Sequence, residues 1–252
     1  MELTVLGACG TWPKAGGACS GYLVRHDGFS LWVDMGAGTM ANIQEHLGLL
    51  DVDAIIVSHS HADHVVDLFP YFYARHYALG EPRGTPLFWP PGVYQRVGGI
   101  LSEETLHDLA VSFLLHDVEP GQAFEIGPFR VTTAPMAHPV PTLGIRLEAG
   151  GQVLAYTADS GPTPEVVKLA RDADLLLADA TWQEREGTEY PPDIHMTDRD
   201  VGRAAREAEA RRVVLTHIWP TLDRAISQEQ AADEYGDDVI LADEGMRLEV
   251  KG

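Results

Sequence analysis

The chain has 252 residues, with 18 Lys and Arg against 38 Asp and Glu and a formal net charge of −20 with histidine neutral. Grip on a nucleic-acid backbone or an anionic membrane needs clustered Lys and Arg, and the densest cluster here is the pair Arg211–Arg212, so long nucleic acid and membrane surfaces are disfavoured partners. Hydrophobic residues at 45% and charged residues at 22% give a composition that can bury a sizeable core, which excludes a disordered or fibrous chain.

Met1–Leu6 carries an acid at position two and runs directly into strand-like sequence, so no signal peptide is expected. Nowhere do about 18 apolar residues run together, so no membrane-spanning helix is expected either. Short runs rich in β-branched residues predict strands at Glu2–Leu6, Gly21–Arg25, Ser30–Val33, Ala54–Val57 and Pro86–Trp89, then at Ala123–Ile126, Phe129–Ala134, Gly144–Ala149, Gln152–Tyr156, Leu175–Ala178 and Arg212–Leu215. Amphipathic stretches predict helices over Thr39–Leu47, His64–Ala78, Gly92–Gly98, Glu103–Ala110, Pro164–Ala170 and Arg199–Ala210, with Asp198 placed to cap the last. The alternation is that of a layered α/β protein. Two hairpins, Gly21–Arg25 with Ser30–Val33 and Gly144–Ala149 with Gln152–Tyr156, are each followed by an acidic loop, at Asp34 and Asp159, and then by a helix. No linker divides them, so residues 1–252 are read as a single domain of two pseudo-equivalent halves. Cys9 and Cys19 are the only cysteines and make no disulfide framework, which fits a reducing cytoplasm.

The strongest chemical signal is Ser58-His59-Ser60-His61-Ala62-Asp63-His64, directly after the strand Ala54–Val57. His59 and His61 are period-two neighbours leaving a strand, while Asp63 and His64 open a helix and swing to an adjacent position, so one segment could serve two metals. Imidazole nitrogen and carboxylate oxygen suit zinc and related divalent ions. Further donors stand at three later strand ends: His138 in Ala137-His138-Pro139, Asp159 in Ala158-Asp159-Ser160, and His217 in Thr216-His217-Ile218. Strand ends of an α/β sandwich converge on one edge, where active sites form.

The order His59-x-His61-x-Asp63-His64, then His138, Asp159 and His217, resembles the metallo-β-lactamase superfamily over nearly the whole chain. The resemblance implies a four-layer αββα sandwich and two divalent metal ions, zinc first, with manganese or iron as alternatives. It implies His59, His61 and His138 on one metal, Asp63, His64 and His217 on the other, Asp159 bridging, and a bridging hydroxide as nucleophile. Asp34 would support the metal loop. A homodimer is implied as well.

Fold alone settles no reaction. Asp179 in Ala178-Asp179-Ala180-Thr181 and His195 in Ile194-His195-Met196-Thr197 resemble the acidic residue and histidine near the scissile phosphate in the ribonuclease Z-like phosphodiesterase branch, with Asp here where ribonuclease Z carries Glu. His195 is expected to bind a phosphate oxygen or protonate the leaving alkoxide, with Asp179 orienting it; with Asp63 these are the candidate catalytic residues. Ribonuclease Z needs a long arm between the equivalents of His138 and Asp159; here these two are 21 positions apart and the stretch between them is occupied by the second hairpin. The motifs Gly21-Tyr22-Leu23-Val24, Phe124-Glu125-Ile126-Gly127-Pro128-Phe129 and Leu215-Thr216-His217-Ile218 resemble bacterial cyclic-nucleotide phosphodiesterase-like members more closely.

The expected activity is therefore hydrolysis of small phosphodiesters such as cyclic nucleotides. Two divalent ions against Asp63, Asp159 and a hydroxide leave the site near about +1 by formal count, so a small anion could enter despite the global charge. The alternatives are a ribonuclease Z-like endoribonuclease, a lactone, β-lactam or thioester hydrolase, and a non-hydrolytic metal-binding accessory protein. Gly36-x-Gly38-x-x-Ala41 matches a dinucleotide fingerprint, but the preceding hairpin favours close backbone packing instead. Phe69–Tyr73 suits core packing, a base pocket or a dimer interface. His26, His46, His76, His107 and His116 read as surface or structural, and Gly10–Cys19 as a loop over the metal edge.

Overall fold

Residues 1–80 and 84–251 are described by the computed structural model, and their strands form two seven-stranded sheets. The first holds β1 (Glu2–Gly7), β2 (Gly21–His26), β3 (Phe29–Val33), β4 (Ala54–Ile56), β5 (Thr85–Trp89) and β6 (Phe113–Asp117). The second holds β7 (Ala123–Ile126), β8 (Phe129–Pro135), β9 (Leu143–Ala149), β10 (Gln152–Tyr156), β11 (Leu175–Asp179), β12 (Val213–Thr216) and β13 (Val239–Leu241). The last strand, β14 (Arg247–Glu249), returns to pair antiparallel with β1 and completes the first sheet.

Period-two alternation explains the layers. On β3, Leu31 and Val33 enter the core between the sheets, where Phe129, Ile145, Leu154 and Leu177 also sit, while Trp32 points to the opposite face. On that face lie α1 (Thr39–Ile43), α2 (Ala62–Val65), α3 (Leu68–Tyr73), α4 (Val93–Gly98) and α5 (Glu103–Ser112), with Trp32, Tyr71, Phe72 and Leu109 fully buried among them. On β11, Leu175 and Leu177 face inward and Leu176 and Ala178 face α6 (Pro164–Ala170), α7 (Asp198–Glu207) and α8 (Arg224–Tyr235). Each large apolar side chain buried in these layers contributes about 1.5–3 kcal/mol. The result is the expected αββα sandwich. Its sheets have matching strand patterns: two antiparallel pairings followed by three parallel ones run through β1–β6 and again through β8–β13.

Several sequence expectations are corrected. The helix expected over Thr39–Leu47 ends at Ile43. The one expected over His64–Ala78 is split into α2, α3 and a π-helical turn at Ala74–Ala78. Pro70 has no N–H to offer the Val66 carbonyl, and the Asp67 N–H turns to the Met35 carbonyl at 2.9 Å. Asp198 does not cap α7: Thr197 does, through a reciprocal box in which its hydroxyl accepts from the Asp200 N–H and Asp200 accepts from the Thr197 N–H. The edge strands β6, β13 and β14 and helix α8 were not expected. Tyr71 and Phe72 of the Phe69–Tyr73 run are core residues. Among the described residues no helix is long and apolar enough to cross a membrane.

Candidate metal centre

Strand β4 is wholly buried between β3 and β5, which fixes where the histidine loop leaves the sheet. His59 and His64 are fully buried, and a Cβ on Gly36 would meet the Asp63 carbonyl oxygen at 2.1 Å. Gly36 therefore serves close backbone packing under the loop. The chain leaves β3, β10 and β12 through Asp34, Ala158 and His217, whose φ angles are 56°, 53° and 57°. Left-handed backbone at non-glycine residues is strained and clusters at functional sites. These exits, with the one after β8, bring His138, Asp159 and His217 to the loop's edge of the sandwich.

Seven of the expected residues form two facing groups of donors that share Asp159. In the first, His61 Nδ1 lies 3.2 Å from His59 Nε2 and 3.0 Å from His138 Nε2, while Asp159 Oδ2 is 3.6 Å from His59 and 3.8 Å from His138. In the second, Asp63 Oδ2 lies 3.1 Å from His217 Nε2 and 3.8 Å from His64 Nε2, while Asp159 Oδ1 is 3.1 Å from His64 and 3.5 Å from His217. Donors held about 2.0–2.1 Å from a tetrahedral ion stand roughly 3.3–3.4 Å apart, which is the spacing of both groups.

The polar accounting points the same way. His64 Nε2 and Asp159 Oδ1 are buried and have no hydrogen-bond partner, although they face each other. His64 Nδ1 donates to Asp34 at 2.8 Å, which leaves Nε2 aimed at the Asp159 carboxylate oxygen 3.1 Å away. A buried nitrogen and carboxylate oxygen in such contact need a positive charge between them, a proton on the ring or a metal ion that replaces it. The donor set fits two divalent ions, and its N and O chemistry accepts zinc, manganese or iron.

Outer contacts orient the rings, as metal-binding imidazoles require. His59 Nδ1 meets the Ser58 hydroxyl at 3.0 Å, His138 Nδ1 donates to the Ile194 carbonyl at 2.8 Å, and His217 Nδ1 meets the Thr181 hydroxyl at 2.7 Å. Asp34 also accepts from the Ser58 N–H at 2.6 Å and from the Tyr156 hydroxyl at 2.8 Å, bracing the first half of the chain on the second. The Thr11 N–H donates to Asp63 Oδ2 at 2.9 Å, which places the Gly10–Cys19 loop against the cluster.

Burial, with His64 beside it, holds His59 well below the ordinary imidazole range, so its ring is neutral as a ligand must be. Burial opposes charge on His64 and His217 as well, but there carboxylates win: Asp159, Asp34 and Asp63 hold His64 well above its usual value, and Asp159, Asp179 and Asp63 push His217 up to about 10. Asp63 and Asp159 are held below the usual carboxylate range, because His64 and His217 outweigh the burial of each. Cation binding at this centre must therefore displace protons.

The two remaining candidates stand beside the cluster. His195 donates from Nδ1 to Asp179 Oδ2 at 2.8 Å, and Asp179 Oδ1 accepts from the Thr181 hydroxyl at 2.5 Å. Asp179 thus spans His195 and, through Thr181, His217; despite its short arm it reaches His195 directly. The His195 ring stacks obliquely near His138 and His217, with centroids 5.4 Å and 5.3 Å away. His26, His46, His76, His107 and His116 join none of the donor groups. Sequence reasoning missed Thr181, Tyr156, Thr11 and the Ile194 carbonyl. A hydroxyl or carbonyl at a strand end carries no signal of its own, and only Thr181, two residues after Asp179, was within reach of a motif argument.

A model described as the β-lactamase superfamily domain matches residues 31–218. The uncharacterized protein Rv1339 of Mycobacterium tuberculosis is 30% identical over all of this chain and 94% of its own. The "Probable metallo-hydrolase YhfI" of Bacillus subtilis is 30% identical over 86% of this chain and 87% of its own, and its crystal structure superposes with a TM-score of 0.88 over 98% of each chain. A ribonuclease Z of Kineococcus radiotolerans is 28% identical over 92% of this chain and 88% of its own.

Proposed function

The chain belongs to the β-lactamase superfamily, a family of metallo-hydrolases, and from that premise we propose that it is a phosphodiesterase acting on small phosphodiesters such as cyclic nucleotides. The observation that carries this reading is the Asp179–His195 pair, joined at 2.8 Å on the rim of the His/Asp cluster. A lactone or β-lactam develops charge on one carbonyl oxygen and on its leaving atom, whereas a phosphodiester presents two charged non-bridging oxygens besides its leaving oxygen and so calls for a further donor. His195 answers that need: with Nδ1 fixed on Asp179, its Nε2 is the atom left to meet a phosphate oxygen, or to give a proton to the departing alkoxide when the ring is charged. Asp179 positions the ring.

His59, His61 and His138 would hold one ion, Asp63, His64 and His217 the other, and Asp159 both, through its two oxygens. The ions would supply a nucleophilic water at neutral pH and Lewis-acid charge stabilisation. Around them, Asp34, Ser58, Thr181 and the Ile194 carbonyl keep the imidazoles aimed.

Transfer-RNA processing is the second reading, supported by the ribonuclease Z relatives. Against it, the stretch between His138 and Asp159 is taken up by β9 and β10, joined at Gly150–Gly151, which leaves no arm there for a large polyanion. A homodimer and a cytoplasmic setting belong to the proposal. The test is cleavage of bis(p-nitrophenyl) phosphate and cyclic AMP alongside a homoserine lactone, nitrocefin and a precursor transfer RNA. Metal-dependent turnover confined to the first two, abolished by His61→Ala, is the expected result. Full activity of His61→Ala, or preference for the lactone, lactam or RNA, would overturn it.

A further inference from the structure

Next to the cluster lies a cavity of about 360 Å³ whose walls include Pro162, Glu184, Arg185, Tyr190, His195 and Thr197. His195 is the wall it shares with the metal centre, so a molecule seated in the cavity is within reach of the residue proposed to handle the phosphate. The loop that forms the outer wall is pinned in three ways. A Cβ on Gly161 would meet the Pro192 carbonyl at 1.9 Å, the Tyr190 hydroxyl donates to the Gln183 carbonyl, and the Glu184 N–H donates to Asp198 Oδ1 at 3.2 Å. Tyr190 is half-buried and its ring stacks on Trp182, centroids 5.2 Å apart and planes 28° from parallel, while Trp182 meets His195 edge-on at 5.3 Å. An aromatic ladder thus runs from the metal centre to the cavity wall.

Resting on the proposed phosphodiesterase reading, we infer that this cavity is the subsite for the nucleoside half of the substrate, with Tyr190 as the residue that sets specificity. Four features select that class. The volume stands near the lower end of the range for small-ligand pockets, enough for a base and its sugar but not for an oligonucleotide. A braced aromatic ring gives a stacking face for a planar base. Glu184 and Asp200 are engaged by Arg203 at 3.3 Å and 2.8 Å, whereas Glu186 and Arg185, which also line the cavity, have no ion-pair partner among the described residues. A carboxylate acceptor and a guanidinium donor are thereby left for sugar hydroxyls and base edges. The wall's three carboxylates, Glu184, Glu186 and Asp200, outnumber the two arginines beside them, Arg185 and Arg203, and this small acidic excess favours a monoanionic diester over a nucleoside carrying further phosphates.

The probe is adenosine, which carries the base and sugar without the phosphate, so its binding is read independently of turnover. Isothermal titration of the metal-loaded protein with adenosine should show one site per chain. Tyr190→Ala should weaken it about tenfold or more, as loss of one stacking face predicts, and raise KM for cyclic AMP in parallel. Tyr190→Phe, which keeps the ring and loses only the hydroxyl, should bind within about threefold of wild type if stacking is the contact. No adenosine binding to the wild-type protein, or equal binding by Tyr190→Ala, overturns the subsite. Adenosine binding without hydrolysis of any phosphodiester would instead overturn the proposed reaction and leave the subsite standing.

Discussion

At the scale of single residues, the centre depends on groups that hold the donors. Asp34 receives His64 Nδ1, the Ser58 backbone and the Tyr156 hydroxyl, so Asp34→Asn disturbs the ring that must present Nε2. Its expected cost is about 10–100-fold in affinity for the ion beside His64, read by competition with a metal chelator; unchanged affinity would remove Asp34 from the account. The clustered donors themselves were legible because His59-x-His61-x-Asp63-His64 is dense and each later donor ends a strand. Thr181 and the Ile194 carbonyl were not, since their contribution comes only from where the folded chain puts them.

Asp198 shows a residue whose role changed between sequence and structure. It is buried in the first turn of α7, with Oδ1 accepting from the Glu184 and Arg199 N–H groups and Oδ2 unpartnered, and burial pushes its pKa up to about 6. A carboxyl whose folded pKa lies above its unfolded value of about 3.9 adds stability below that value and loses it as the pH rises through 6. Relative to Asp198→Asn, the wild-type protein should therefore lose on the order of 1 kcal/mol between about pH 5 and pH 8, read by urea unfolding of both proteins at each pH. A pH-independent difference would contradict the burial argument.

Among the elements, the exits from strands carry the chemistry. The histidine loop lies directly on Gly36, so Gly36→Ala must push the Asp63 backbone away. A loss of about 1–3 kcal/mol or more and a matching loss of metal are expected, read by thermal unfolding and elemental analysis; an unchanged melting temperature would mean that the loop has slack. Strands with clean alternation, such as β3 and β10, were readable within a residue or two. The ones that escaped have weak patterns for physical reasons. β14 is three residues of edge strand with charges at both ends, β6 exposes Leu114, and α8 buries only Ser227 and Ala231 fully, so its apolar stripe is faint. The opposite error, one long helix in place of α2 and α3, came from counting apolar periodicity through Pro70.

Over the whole molecule, the matching strand patterns of the two sheets agree with the reading of one domain built from two pseudo-equivalent halves, which we retain as a proposal. The donors come from both halves, so each sheet edge supplies part of the centre. With two divalent ions bound, the centre would carry a local charge opposite in sign to the net −20, and salt separates their effects. For a monoanionic cyclic nucleotide kcat/KM should rise modestly, about twofold, as salt increases and screens the acidic surface. A steep fall with salt, the signature of a polyanion held by released counterions, would instead favour the RNA reading.

The central claim is a two-metal phosphodiesterase, and titrating metal into the chelator-stripped protein while following bis(p-nitrophenyl) phosphate hydrolysis addresses it most directly. The account predicts no turnover in the stripped protein and activity that levels off at two equivalents of zinc, manganese or iron per chain. Turnover that survives stripping, or a plateau at one equivalent, would contradict it.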